Sequence, residues 1–355
     1  MTNRLRQSGV ALIAVLLLLV FILTIVGGLF YRHQIHIHKV TRTLVGEQAV
    51  LLLLGAESWA RSLLLADARS GSVDHLGEYW AQRLPLLPVE GGRISGCLRD
   101  MQGLFSLNSL GSYSIKSWED EVQAGAAGSV TTRRSLFRNL LLQLQLDDSD
   151  QRIAALVDWI DQDAWLLTPD SAEDNEYLLL EPAYRAANGS IGDLSELSLV
   201  AGFSSDDVAR LEPWVNTVPG DVPLNVNTAP VQVLSALSPL ISPQAATALV
   251  ELRPFASVDA FYSALESVAG ETRQTLLTRI PPNLLTVSSS WFAMQADVEL
   301  AGVRLAYHSL LQRDGSNAVR VLSRTVSFLP PLRDENNRPV AINSLCNQLE
   351  VHTSS

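Results

Sequence analysis

The densest chemistry in the chain lies in LVDWIDQDAWLLTPDSAEDNEYLLLEPAYRAAN, from Leu156 to Asn188, where Asp158, Asp161, Asp163, Asp170, Glu173, Asp174 and Glu176 gather around one helix end and one loop. Hard carboxylate oxygens at this density suit calcium, which takes about six to eight oxygen ligands in adaptable geometry. The spacing is not that of an EF-hand: after Asp161 and Asp163 the third ligand position is Trp165 and the turn-glycine position is Leu166. A calcium site must therefore be discontinuous, joining Asp161 and Asp163 to Glu173 and Asp174 across the loop. Two other readings fit the same residues. One is a solvated acidic loop. The other is a glycosidase acid and nucleophile, which requires a cleft lined with aromatic and polar groups.

Other reactive side chains are sparse. Asp74 and His75 are adjacent, but no activated nucleophile motif accompanies them, so they read as surface residues. His33, His36 and His38 follow an apolar run, and residues two apart point to different sides of a helix, so they form a polar collar at a membrane interface rather than a metal site. Cys97 and Cys346 are the only cysteines, too few and too far apart for a zinc site of cysteine pairs. In an oxidising compartment the two are candidates for a disulfide. The charge balance, 26 basic against 37 acidic residues for a net −11, disfavours a duplex-binding protein, which needs a basic face to displace counterions.

These groups need elements to hold them. From Val10 to Phe30 there is no charged residue, and the run meets the ~20 apolar residues a helix needs to cross a hydrocarbon core. A secretory signal peptide has a shorter core followed by a small-residue cleavage site, whereas YRHQIHIHK follows here, so the segment is expected to remain as a single-pass anchor. Past it, Ile37, Val40, Leu44, Leu51, Leu54, Trp59 and Leu63 recur near helical spacing and extend the helix to about Ala68.

SGSVDHLGEYWAQRLPLLPVEGGR reads as a loop, and RISGCLRDMQGLFSLNSL as a strand, a turn at Gln102-Gly103 and a short second strand. LFRNLLLQLQL, DQRIAALVDWIDQ and SSDDVARLEPWV read as helices, the last capped by Ser204 or Ser205. Thr228 is expected to cap another, with Pro230 in its first turn. IGDLSELSLVAGFSSDDVARL and FASVDAFYSALESVAGETRQTL are weakly alike and suggest a duplicated helix-hairpin-helix unit. The turn between them, SPLISPQ, lacks the glycines with which such units grip DNA phosphates, so a nucleic-acid reading loses its central chemistry. After Asn283 the chain alternates apolar and polar residues and turns at Ala301-Gly302 and Asp314-Gly315, which predicts an antiparallel meander with one face on the long helix.

The expected fold class is α+β. A leader (1–9) and a transmembrane segment (10–30) precede an α/β domain (31–107 and 284–328), in which the long N-terminal helix packs on an antiparallel sheet. A large all-α domain (108–283) with helix-hairpin-helix, SAM-like repeats is inserted into it, and a tail (329–355) ends the chain.

The short basic leader, with Arg4 and Arg6, stops at Ser8-Gly9 directly against the apolar run. This resembles the signal of type IV pilins and type II secretion pseudopilins, and implies that a prepilin peptidase cuts between Gly9 and Val10 and that the new N-terminus is methylated. A glycine there lets the peptidase approach the backbone closely. Most pilins carry a glutamate at the fifth mature position, where this chain has Ala14. A carboxylate in the membrane costs about 2.5–3.5 kcal/mol and is kept only with a partner. The K-type minor pseudopilins are the members that lack it, and DMQGLFSLNSL, DWIDQDAW…SAEDNEYLLLEPAYRAAN and NVNTA resemble the same group over nearly the whole chain.

The resemblance implies a structural, non-enzymatic subunit anchored in the bacterial inner membrane with its bulk in the periplasm. It implies a place at the pseudopilus tip with the I- and J-type minor pseudopilins, contact with the major pseudopilin and other type II secretion components, no nucleic acid, and calcium in the helical region. The residues alone also admit a membrane-anchored calcium-dependent binding module or a DNA-uptake protein.

Overall fold

The computed structural model describes residues 8–124, 130–147, 149–315 and 317–329. Residues 1–7 of the proposed leader, the C-terminal tail beyond Leu329 and Cys346 therefore lie outside the described residues. Cys97 is within them, half-buried on a strand.

A single helix, α1 (Ser8–Ser70), opens the fold and at 1.5 Å per residue extends about 95 Å. Large apolar side chains from Leu12 to Phe30 lie exposed along its first part. It is the one helix among the described residues long and apolar enough to cross a membrane, and it fits a single-pass anchor. Its second part buries Ala49, Leu53, Ala60 and Leu64, which share one face by their three- and four-residue spacing. Of the periodic residues, Ile37, Val40, Leu44, Leu51, Leu54 and Trp59 lie on a different, exposed side, and Leu63 is half-buried against the sheet cluster. Small residues on the sheet-facing side, Ala49 and Ala60, weaken the periodic signal of the face that is actually covered.

After α1 come a 3-10 turn (Tyr79–Ala81), the hairpin of β1 (Leu84–Val89) and β2 (Gly92–Asp100), and the two-residue β3 (Phe105–Ser106). The helical region follows. It contains α2 (Ile115–Ala124), α3 (Arg133–Gln143), α4 (Ser149–Ile160), α5 (Asp174–Tyr177), a 3-10 turn (Leu194–Leu199), and α6 (Ser205–Leu211). The short strands β4 (Val215–Asn216) and β5 (Leu224–Asn225) lead to α7 (Val231–Ala236), α8 (Pro243–Glu251), α9 (Val258–Ala269) and α10 (Arg273–Arg279). The chain then returns through β6 (Leu285–Thr286) to β7 (Trp291–Leu300), β8 (Val303–Asp314) and β9 (Ala318–Leu329).

Five strands form one antiparallel sheet in the order β1-β2-β7-β8-β9, so strands from before and after the helical region pair directly. Ile94, Val298 and Leu305 stand in one cross-strand row and join Phe292, Met294, Tyr307 and Leu311 against α1. The β7–β8 hairpin turns through Ala301 and Gly302, both at positive φ, as a tight two-residue turn demands. A separate cluster fills the helical region, built around Phe137, Leu140, Leu156, Val157, Leu234 and Phe261.

Local expectations are corrected at three places. The segment read as a loop before Arg93 contains β1, whose prolines, Pro85 and Pro88, obscured its strand character and suit its place at the sheet edge. The short strand after Gly103 does not fold back on β2; β3 pairs in parallel with β4 instead, and β5 with β6, so each short strand ties one end of the helical region to the core. Thr228 does not cap α7. Pro230 occupies the cap position, and the Thr228 hydroxyl donates to Asp100 at 2.6 Å. Ser204 does cap α6, accepting from the Asp207 amide at 3.2 Å.

The Thr228 contact belongs to a buried polar junction. Asp100, at the end of β2, accepts from Asn225 at 3.0 Å, Thr228 and the Ser289 hydroxyl at 2.6 Å, and the Gln102 amide at 2.8 Å. Asp74, just past α1, is buried rather than at the surface as its sequence context suggested; it accepts from the Ser289 amide at 2.7 Å and from the Arg313 guanidinium, which also donates to Asp67 at 2.9 Å. Gly103 allows the adjoining turn to close, since a Cβ there would lie 2.9 Å from the Thr228 carbonyl. Asp67, Asp74 and Glu78 are the one group of three potential metal ligands with closely spaced oxygens among the described residues, but Arg313 already supplies the cation to two of them.

Burial, with Glu78 and Asp74 nearby, pushes the Asp67 carboxyl up to about 6 even beside Arg313. Replacing Arg313 with methionine leaves two carboxyls without their shared cation, and is expected to cost about 3–5 kcal/mol in denaturant unfolding. The raised Asp67 pKa climbs further without Arg313, so protonation relieves the defect in acid and the loss should be smaller near pH 5 than near pH 8. A loss independent of pH would show that the guanidinium acts only by packing.

Candidate functional site

The acidic loop is positioned by the end of α4 and the start of α5. In α4 the run IAALVDWI is buried throughout, which carries Asp158 into the core with it. Asp161 and Asp163 follow in tight turns, Asp161 accepting from the Asp163 amide at 3.3 Å and Asp163 from the Trp165 amide at 2.8 Å. The chain returns so that the Leu167 amide donates to Asp158 at 3.0 Å. Glu173 caps α5 in a reciprocal box with Glu176, an arrangement that satisfies amides at a helix start and favours negative charge there.

A third segment closes the loop. Asn188, at positive φ, donates its side-chain amide to the Asp163 carbonyl at 2.8 Å, and the Gly189 amide donates to the Trp159 carbonyl at 3.3 Å. Beneath them Trp159 meets Tyr177 edge to face at 5.1 Å, and Tyr177 stacks on Tyr184 at 5.4 Å. This aromatic base is the rigid support on which the carboxylates stand.

Asp158 is fully buried and Glu173 is 3 % exposed, yet Asp158 Oδ2, Glu173 Oε1 and the Asn188 side-chain oxygen have no hydrogen-bond donor. Burial first, then mutual repulsion, pushes the Asp158 and Asp161 carboxyls up to about 6 and that of Glu173 to about 7. Unpartnered buried oxygens normally cost about 1–3 kcal/mol each, more when charged. Unpartnered oxygens of this kind are what a hard cation accepts, although these carboxylates are not drawn together as closely as Asp67, Asp74 and Glu78 are.

The four expected ligands divide. Asp161 and Glu173 are brought together with Asp158 closely enough to repel one another. Asp163 raises Asp161 and Asp158 from a more exposed position. The Asp174 carboxylate is turned elsewhere, accepting from the Ala186 amide at 3.0 Å and facing Arg185 at 3.5 Å. Asp158 and Asn188, whose side-chain oxygens lack donors, were not among the residues expected at the site. Asp158 had a usable signal, since a carboxylate inside the apolar run LVDWI must be buried with a partner, whereas Asn188 depended on the closure of the third segment.

Because these carboxyls are raised above their unfolded values, the protonated forms favour the folded state. Their contribution is full below about pH 4 and is lost as pH rises through about 6 to 7. In chelator, the melting temperature is expected to fall more steeply from about pH 5 to pH 7.5 in the wild type than in Asp158→Asn/Glu173→Gln, which mimics the protonated pair. Equal slopes would refute the repulsion.

Residues 103–220 and 224–280 match two family models, both described as type II secretion system (T2SS), protein K. The chain is 36% identical over 332 residues to type II secretion system protein K of Pseudomonas aeruginosa, covering 90% of this chain and 92% of that protein. It is 30% identical to the protein of that name from Aeromonas hydrophila and 32% identical to that of Pectobacterium carotovorum, covering 90% of this chain and 97% of each relative. The fold superimposes with a TM-score of 0.66 and 26% identity on a chain of the crystal structure of the GspK-GspI-GspJ complex from the enterotoxigenic Escherichia coli type 2 secretion system, covering 79% of this chain and 96% of that one. With the long helix, the five-stranded sheet and the helical region all in place, the chain belongs to the type II secretion system protein K family.

Proposed function

We propose that this chain is a minor pseudopilin seated at the tip of a type II secretion pseudopilus with I- and J-type partners, where it initiates assembly and limits growth. It crosses the inner membrane once, carries its sheet and helical region in the periplasm, binds calcium and catalyses no reaction. The observation that carries this reading is the place of the helical region. Asp74 follows the end of α1, and Asn225, at the exit of β5, donates to the Asp74 carbonyl at 3.2 Å, so the bulk is fastened far from the membrane segment. A mass there obstructs any subunit stacking its own helix above. The exposed stripe from Leu44 to Trp59 offers an uncovered apolar face for neighbouring helices, and Ala14 suits a subunit with no neighbour above it.

The enzymatic reading is disfavoured because Asp158 and Glu173 are too buried for a glycan to reach. The DNA reading is disfavoured because the turn from Leu237 to Thr247 carries no basic residue, and the Ala245 amide at the start of α8 is taken by Ser242. Calcium would be held by Asp158, Asp161, Glu173 and the Asn188 oxygen, with Asp163 at the rim, and would relieve the repulsion among them. Asp174 is a support of the loop rather than a ligand.

In cells overproducing the major pseudopilin, loss of this chain is expected to lengthen the fibres and reduce secretion, and a variant lacking residues 108–283 should fail to restore the short length. Fibres of unchanged length without the chain would sink the tip assignment. Calcium at about a hundredfold excess over its dissociation constant should stabilise the protein by about 2.7 kcal/mol. Asp161→Ala/Glu173→Ala should remove most of the corresponding rise in melting temperature, and Asp314→Ala should keep it. A melting temperature indifferent to millimolar calcium returns the loop to a solvated surface.

A further inference from the structure

Next to the carboxylates, the same loop displays apolar side chains to solvent. Leu179 is 86 % exposed, more than any other large apolar residue described, and Trp165 is 75 % exposed. Leu166, Leu178 and Leu180 are also exposed. Scattered surface leucines need no explanation, but five large apolar side chains on two short segments of one closed loop do. Their backbone is tied down: the amides of Leu178, Leu179 and Leu180 donate to the carbonyls of Asp174, Glu176 and Tyr177 at 2.9, 3.2 and 3.3 Å. The Trp165 amide is held by Asp163. The side chains are thus presented by a fixed surface, at low entropic cost to a partner.

The charge around this surface has one sign. Between Asp161 and Pro182 there are seven acidic residues and no Lys or Arg, and Asp163, Asp170, Glu176 and Glu181 are exposed. An acidic rim repels an anionic lipid surface. The anchoring membrane is also remote, because the helical region is fastened beyond Ser70, and α1 rises about 60 Å between Phe30 and that residue. We propose that the surface formed by Leu178–Leu180 docks a cationic amphipathic segment of a protein partner, its apolar groups on the leucines and its Lys or Arg side chains on the acidic rim. The docking rests on exposed side chains and not on the metal, so it stands or falls apart from the calcium reading.

The test uses the full chain in phosphatidylcholine nanodiscs, with a fluorescent helical Lys/Leu peptide as probe and the same peptide with Glu in place of Lys as control. Both are titrated in calcium and in chelator, against wild type and Leu179→Ser/Leu180→Ser. The substituted side chains are exposed, so the variant keeps its fold, which its melting temperature checks. The Lys/Leu peptide is expected to bind wild type at least about tenfold more tightly than the variant, given the apolar burial of two leucines, and to weaken between about 50 and 300 mM salt. The Glu/Leu peptide should not bind. Equal binding to wild type and variant, or equal binding of the two peptides, overturns the proposal. So does flotation of wild type, but not the variant, with phosphatidylglycerol vesicles in place of peptide binding, which would make the surface a lipid-binding one. Peptide binding that persists in chelator while calcium leaves the melting temperature unchanged supports the docking surface and removes only the metal.

Discussion

The structure depends on the buried ion pair between Arg313 and Asp74 and on the hydrogen-bonded carboxylate of Asp100 beside it. Five stretches remote in sequence meet there: the end of α1, the end of β2, the exit of β5, the approach to β7 and the end of β8. A hydrophobic contact between the sheet and the helical region would tolerate sliding and rotation, because apolar burial is not directional. A buried network of charges and amides does not, since every displaced donor leaves an unsatisfied partner in a low dielectric. The helical region is therefore held at one orientation relative to α1.

A second constraint is that α1 serves two environments with one continuous helix. Its first part has apolar residues on every side and fits a single-pass anchor. Its second part is covered on one face by the sheet, leaving a different apolar stripe uncovered. At Glu57 the same helix buries a carboxylate against the sheet, with Arg324 donating at 2.9 and 2.8 Å and Tyr307 bonding to it as well. Burial opposes the charge there, but these hydrogen bonds outweigh it and the Glu57 pKa is lowered. This polar contact fixes the rotation of the helix about its axis, and with it the direction in which the uncovered stripe points.

The acidic loop shows the opposite electrostatic design. Glu57 and Asp74 each have an arginine, whereas the charges nearest Asp158, Asp161 and Glu173 are other carboxylates, Asp163 foremost for the first two. The cost of assembling them is borne by the aromatic base of Trp159, Tyr177 and Tyr184, by the reciprocal cap of α5, and by the closing bond from Asn188.

Much was legible in the sequence because it follows from local period and composition. The apolar run from Val10, the meander with its turn at Ala301-Gly302, the cap at Ser204 and the density of carboxylates after Leu156 are all properties of neighbouring residues. What only the tertiary structure decided depends on segments far apart in the chain. Periodicity identified a helix after Phe30 but not the face it packs, because two stripes repeat at helical spacing and the covered one contains alanines. Pro85 and Pro88 hid an edge strand whose pairing comes from β2. Thr228 looked like a helix cap, yet its hydroxyl serves Asp100 from more than a hundred residues away. The acidic loop was found by composition, but that the Asp174 carboxylate is bonded to the Ala186 amide while oxygens of Asp158 and Asn188 lack donors is visible only once the loop closes.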